Sequence, residues 1–433
     1  MKNSRYNFFF PYEEDDSKLI AYNSFSNALA LMEKTRYEEL QRFIEHGENI
    51  ADESFVQKLK RGYFLIDEDC NELDMLRFRM LKGRYNTDSL GLTIAPTADC
   101  NFRCLYCYEK DVIKPDYMTQ ETESAILKLV KSRIKTISNL SITWYGGEPL
   151  MNMESIERLS RGFISLCDEH GVRYDAGMVT NGYLLTDENA RLINELKITF
   201  LQITLDGSED IHNQRRPLSD GSGTFNTIID NLVRLKNVLP GVALRVNIDK
   251  NNANAGKEIV DFLRKKELPD KFKPYLGKIT AENNEYDKSS CFDCCGFSQE
   301  ELSFYNEFHD KKTFMHRYPR VVSNFCGADK LNSYVIAADG KLYKCWNDIG
   351  NSEGCVGSLV DAMDVRQQAH LDYMLFDPTT DNECSQCNLL PICMGGCPYM
   401  KRIENDKCSI YKFALEGFLA VITSKISLIK KEA

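Results

Sequence analysis

The chain has 433 residues, 64 acidic against 54 basic side chains and a formal charge of −10, which excludes a sequence-independent electrostatic grip on nucleic acid or on an anionic membrane. With 43% apolar residues, 27% charged residues and only 12 prolines it reads as globular, long enough for two or three domains, and neither disordered nor collagen-like. Its 16 cysteines follow an N-terminus, MKNSRYNFFFPYEEDD, with no signal-like apolar run, so a cytoplasmic protein is expected whose thiols bind metal rather than pair as disulfides.

Residues 1–88 begin with a strand pair, YNFFFPY and KLIAYNSFSNALALM. Two helices follow, TRYEELQRFIEHG, stopped by Gly47, and ADESFVQKLKRG, and then a strand, YFLID. The order suits a small winged-helix module; the alternative is an embellishment of the next domain. Residues 89–285 alternate strands (LGLTIAPT, LSITWYGG, DAGMVTNG, FLQITLDG, VALRVNID, PYLGKIT) with amphipathic helices. Six such repeats with short connections require a parallel sheet with right-handed crossovers, a partial (β/α)6 barrel whose ligands sit at the carboxyl ends of the strands. The expected class is therefore α/β. Residues 286–433 lose regular periodicity, accumulate cysteines and end in a long helical stretch, SIYKFALEGFLAVITSKISLIKK, which suggests a domain folded around metal. The most apolar run, FALEGFLAVI, is shorter than the ~20 residues needed to cross a bilayer and carries Glu416, so no membrane partner is expected.

After the first barrel strand comes CNFRCLYC, with Cys100, Cys104 and Cys107. Three thiolates are one short of a closed zinc site or a saturated 4Fe–4S cube, and the only histidine before His170 is His46 in the N-terminal module. This spacing, with Tyr106 before the last cysteine, resembles the radical SAM signature. In that family the open iron of the cube chelates S-adenosylmethionine (SAM), whose reductive cleavage yields a 5'-deoxyadenosyl radical. The resemblance extends to Gly146, Gly147 and Glu148 of WYGGEP, matching the methionine-binding motif, where absent side chains let backbone approach a ligand and Glu148 adds a fixed charge. It implies ribose neighbours at Thr180 and Asn181, with Gly182 closing the same strand end. Thr204 and Arg216 also resemble family positions, the guanidinium suiting the SAM carboxylate.

Cys326, Gly340, Cys345, Cys384, Cys387, Cys393, Cys397 and Cys408 repeat the spacing of the seven-cysteine SPASM extension of radical SAM enzymes that modify peptides. That resemblance implies two auxiliary 4Fe–4S clusters, three cubes in all. Cys384, Cys387, Cys393 and Cys408 would hold one; Cys326, Cys345 and Cys397 would contribute to the other. An eighth ligand is open among Cys295, Cys294, Cys291, Cys355 and a substrate thiolate. Cys70 and Cys167 read as buried packing thiols.

The strand–helix–strand order of the N-terminus resembles the RiPP recognition element, which captures the leader of a ribosomally made precursor peptide as an added strand. The expected activity is thioether crosslinking of a peptide cysteine, with reducing electrons from a flavodoxin or ferredoxin. The rival is the formylglycine-forming anaerobic sulfatase-maturing class, which carries an aspartate after the second auxiliary cysteine; here Cys345 is followed by Trp346, and the nearest acid is Asp348. Other carbon–carbon or carbon–oxygen crosslinks, and a non-catalytic iron–sulfur electron-transfer protein, are the remaining alternatives.

Overall fold

In the computed structural model the described residues are all but 281, 282, 284, 309–316, 362–366, 404–407 and 433. The chain forms two compact units that are not consecutive in sequence: Met1–Arg84 with Asp293–Cys326 and Phe376–Ala433, and Tyr85–Phe292 with Gly327–Leu375.

The first unit opens with β1 (Lys2–Asn3), β2 (Asn7–Pro11), β3 (Lys18–Asn23), β4 (Ala28–Glu33), α1 (Lys34–His46), α2 (Glu53–Arg61), β5 (Leu65–Ile66) and α3 (Glu72–Arg84). The expected strand pair is a three-stranded antiparallel sheet, β2-β3-β4, because the second stretch folds back on itself. The Asn23 side chain accepts from the Phe25 and Ser26 amides at 3.1 and 2.9 Å, and Asn27 takes the left-handed conformation (φ 65°) that the turn needs. Gly47, also left-handed, ends α1 as its sequence implies. Alternation along β3 sends Ile20 and Tyr22 into a core with Tyr12, Leu389, Ile392, Leu415 and Leu419, while Ala21 packs with Met32, Leu40 and Leu59. The N-terminal module thus shares its core with the C-terminal segment.

The second unit holds β6 (Ser89–Ile94), β7 (Asn139–Trp144), β8 (Arg173–Thr180), β9 (Ile198–Thr204), β10 (Gly241–Ile248) and β11 (Phe272–Lys278), each parallel to the next. Between them lie α4 (Gln120–Arg133), α5 (Met153–His170), α6 (Asp187–Glu195), α7 (Glu209–Arg215), α8 (Phe225–Arg234) and α9 (Ala255–Lys265). These are the six expected strands of a partial barrel. The sheet continues past β6 with β12 (Ser333–Ile336, parallel), then β13 (Lys341–Tyr343) and β14 (Cys355–Ser358), both antiparallel. Residues 286–433 therefore divide between the units, because β12 supplies backbone partners to an edge of β6 that would otherwise be open. Among the described residues no helix is long and apolar enough to cross a membrane.

Candidate active site

Cys100, Cys104 and Cys107 lie on the loop that leaves β6, and backbone bonds brace that loop from outside. Arg103 and Leu105 donate their amides to the carbonyls of Pro217 and Arg215 at 2.8 and 2.9 Å, and the Asn283 amide donates to the carbonyls of Leu105 and Cys107 at 2.8 and 3.1 Å. Burial pushes all three thiols up, Cys107 to about 12, and Cys104 and Cys107 each add to the upward push on Cys100. At Cys104 the Arg216 guanidinium opposes that rise. Among the described residues no three His, Cys, Asp or Glu side chains converge on a point that a single ion would occupy.

Gly146 and Gly147 follow β7, and their missing side chains are needed by the protein itself. A Cβ on Gly147 would meet the Asp99 carbonyl oxygen at 2.1 Å, and one on Gly146 would meet Ala95 Cβ at 2.8 Å. What approaches these glycines is thus the backbone leading into the cysteine loop, and Glu148 N–H donates to the Asp99 carbonyl at 2.8 Å. Glu148 itself is almost fully buried and accepts from Leu150 N (3.0 Å), Asn181 N (2.7 Å) and Thr180 Oγ1 (2.7 Å). Burial raises its pKa against these donors, and the carboxylate acts as a strut joining the ends of β7 and β8 rather than as a charge held out to a ligand. Asn181 also reaches Asn101 in the cysteine loop at 2.8 Å.

Tyr106 and Arg216 meet. The Tyr106 hydroxyl donates to Asp206 Oδ2 at 2.6 Å and accepts from Arg216 Nη1 and Asn247 Nδ2 at 2.8 and 2.9 Å, while the Arg216 guanidinium lies 5.6 Å from the Phe102 ring centre. Thr204, two residues before Asp206, closes β9 and is buried. Asp206, Asn247 and Asn283 were not singled out from the sequence; their one signal is position, polar residues just at or beyond the carboxyl ends of parallel strands.

Across the cysteine loop, Tyr108 and Tyr145 share a 2.5 Å hydroxyl contact, and Tyr145 stacks on Trp346 with ring centres 5.3 Å apart at 15°. Glu109 lines a small cavity with Thr97, Gly146, Gly147, Ala337 and Ile349, where burial raises its pKa to about 7. Asp348 is fully buried and accepts the Tyr373 hydroxyl at 2.7 Å.

In the first unit Cys384, Cys387, Cys393 and Cys408 line one cavity, together with Leu389, Leu390, Gly395 and Lys412. Lys412 Nζ stands 3.4 Å from Cys408 Sγ, and Cys294 Sγ 3.5 Å from the Cys408 carbonyl oxygen. Cys295, next on the same helix (Cys294–Phe308), is partly exposed. Cys326 and Cys397 belong to this unit, and Cys345, Cys355 and Cys291 to the other. Cys355 is buried among Val335, Ala337 and Tyr343 and donates to the Gly357 carbonyl at 3.3 Å, the surroundings of a packing thiol. Cys167 is fully buried in α5, as expected. Cys70 is not buried: it is partly exposed, with its sulfur 3.5 Å from that of Met75, because its loop lies at the start of α3 on the surface.

Residues 94–263 match the Radical SAM superfamily. Over 380 residues the chain is 23% identical to a cysteine-type anaerobic sulfatase-maturating enzyme of Clostridium novyi, covering 79% of this chain and 98% of that one. A serine-type enzyme of that name from Klebsiella aerogenes is 23% identical over 328 residues, 69% of this chain and 77% of the relative. Among solved structures, anSMEcpe with bound AdoMet superposes with a TM-score of 0.60 at 18% identity, covering 78% of this chain and all of that one. Streptococcus suis SuiB bound to its precursor peptide SuiA gives 0.52 at 15% identity and covers 94% and 98%.

The radical SAM family uses SAM and a 4Fe–4S cluster, and the residues here fit such a group. Three partly buried thiols share one braced loop, and beside them Asp206 Oδ1 and Arg216 Nε are buried with no protein partner. Cys100, Cys104 and Cys107 would hold the cluster, with Arg216 and Tyr106 next to it. The chain thus carries a radical SAM domain over residues 94–263.

Proposed function

We propose that the chain is a peptide maturase that joins a cysteine sulfur of a ribosomally made precursor to a carbon of the same peptide. The observation that carries this reading is the surroundings of Cys345: the next residue, Trp346, is stacked on Tyr145, and the nearest acid in sequence, Asp348, is buried on Tyr373. Oxidation of a side chain to an aldehyde needs a base for the hydroxyl or thiol proton, and no carboxylate follows Cys345 to serve. Thioether formation loses the thiol proton, one carbon hydrogen atom and one electron, and a thiol of pKa about 8.5 can give its proton to water without a carboxylate base. When bound, SAM and the clusters supply the radical that takes a hydrogen atom from carbon and the acceptor for the remaining electron. Four thiols around one cavity, Cys384, Cys387, Cys393 and Cys408, support one auxiliary cluster.

The formylglycine reading keeps one specific support besides the names of the relatives. Glu109, in the cavity beside Gly146 and Gly147, is a carboxylate that this second reading would use as its base. Mass spectrometry of a cysteine-containing precursor peptide after incubation with the reconstituted enzyme separates the two. A crosslink lowers the mass by about 2 Da, the two hydrogens lost, and removes one alkylatable thiol; a hydrazine-reactive product overturns the thioether reading.

The N-terminal module is proposed to bind the leader along the open edge of β4, where backbone pairing supplies affinity. SuiB, whose structure with a precursor peptide aligns along 94% of this chain, supports a shared layout. Deleting the module is not a clean test, because Tyr12, Ile20 and Tyr22 share a core with Leu415 and Leu419. The half-exposed Leu31 of β4 is the better probe. Leu31→Glu is expected to weaken leader binding at least ten-fold while peptide-independent SAM cleavage persists; unchanged leader binding contradicts the assignment.

A further inference from the structure

His212 lies on α7 and is fully buried. Its two ring nitrogens have different partners. Nδ1 accepts the backbone N–H of Asp206 at 3.2 Å, so the ring proton must sit on Nε2, which faces Thr224 Oγ1 at 3.1 Å. Thr224 in turn donates its hydroxyl to the Arg216 carbonyl at 2.7 Å. The chain of donors runs one way, from Asp206 N–H through the imidazole and the threonine hydroxyl to Arg216. It therefore pins both ends of the segment 206–216. Those two ends carry the side chains that grip the Tyr106 hydroxyl, and each presents a buried polar atom with no protein partner, Asp206 Oδ1 and Arg216 Nε.

We propose that His212, as its neutral Nε2–H tautomer, is a positioning residue that fixes Asp206 and Arg216 as a matched acceptor and donor for the bound cofactor. The surroundings keep the ring neutral: burial and the nearby Arg216 charge hold its pKa well below the usual histidine value. A protonated ring would lose the Asp206 contact, because Nδ1 would then carry a proton facing an N–H donor. Phe225 packs edge-on against the ring at 5.6 Å and adds no competing polar group. The inference rests on the radical SAM domain and is independent of which bond the enzyme makes in its peptide.

The two halves of the relay separate by substitution. His212→Asn places an acceptor near Nδ1 and loses the donor to Thr224; His212→Gln does the reverse; Thr224→Val removes the middle of the relay while keeping its shape. Each is expected to raise the Kd for SAM in the iron-reconstituted protein by about ten-fold, one hydrogen bond's worth, with the KM for peptide unchanged. The double variant His212→Asn/Thr224→Val should be no worse than the more affected single variant, since both cut one path. In the metal-free wild-type protein, nitrogen NMR of labelled histidine should find one ring locked as the neutral Nε2–H tautomer across neutral pH. An Nδ1–H or doubly protonated His212, or folded single variants that bind SAM as tightly as wild type, overturns the proposal. Loss of SAM binding with additive effects in the double variant also overturns it, since that is the behaviour of general destabilisation. If a variant fails to fold, the tautomer measured in the wild-type protein still decides.

Discussion

The two groups of cysteines that each gather at one place are held by different means. The loop of Cys100, Cys104 and Cys107 is cross-braced to residues 215–217 and to Asn283, and it hangs from strands whose inner faces are buried apolar residues such as Leu92, Ile94, Ile142 and Trp144. Cys384, Cys387, Cys393 and Cys408 sit on short turns and one-turn helices, Cys384–Gln386 and Leu390–Cys393, around a cavity. Between Cys393 and Cys397 the backbone runs through three consecutive left-handed residues, Met394, Gly395 and Gly396 (φ 49°, 86° and 77°). A non-glycine residue in that region carries strain, which persists only where surrounding contacts over-determine it. The first group is built by the sheet, whereas the second, on turns and one-turn helices, would need the proposed auxiliary cluster to complete its fold.

Removing iron should separate the two groups. In the chelated protein, hydrogen exchange over 384–403 is expected to rise by orders of magnitude while β6–β11 stay protected; equal loss in both regions, or none in either, contradicts the distinction. A smaller effect follows from the core beside the second group. Leu419 is fully buried against Tyr12, Ile20 and Tyr22, and Leu419→Ala is expected to cost about 2–5 kcal/mol in denaturant unfolding of the first unit, with the barrel transition unmoved. Smaller again is a pH effect in the second unit. Asp249 is fully buried, and although burial alone raises its pKa, the Tyr286 hydroxyl (2.5 Å) and the Arg215 guanidinium (2.7 Å) bring it below the usual carboxylate value. Because the folded pKa is lower than the unfolded one, its stabilisation is full above about pH 4 and is lost as pH falls through the folded value. Asp249→Asn should therefore flatten the decline of stability below about pH 4, which unfolding midpoints between pH 7 and pH 3 would measure.

The barrel strands are legible as short apolar runs ending in a glycine or polar turn, most clearly β6, β7, β8 and β10, where buried residues alternate. Their carboxyl ends also gave away the cysteine loop and the glycine pair. What the glycines do was not legible, since their close neighbours, Ala95 and Asp99, come from another strand end. Helix α3 was missed because Leu73, Leu76 and Met80 face the core while Met75, Phe78 and Leu81 stay exposed, so no single apolar stripe marks it. The addition of β12–β14 to the barrel sheet depends on pairing between residues about 240 positions apart, for which local pattern carries no signal. His212, Asp206 and Asn247 become visible only when the fold brings them to Tyr106 and Arg216.

Cys100, Cys104 and Cys107 are proposed to hold a cluster that cleaves SAM, distinct from the thiols of the first unit. Iron content and SAM cleavage, measured on anaerobically reconstituted wild-type protein and on the Cys100→Ala/Cys104→Ala/Cys107→Ala variant, test it together. About 12 iron atoms per chain are expected in the wild type, falling by about four in the variant, with 5'-deoxyadenosine formation abolished. Zinc in place of iron, or SAM cleavage surviving in the triple variant, would contradict the account.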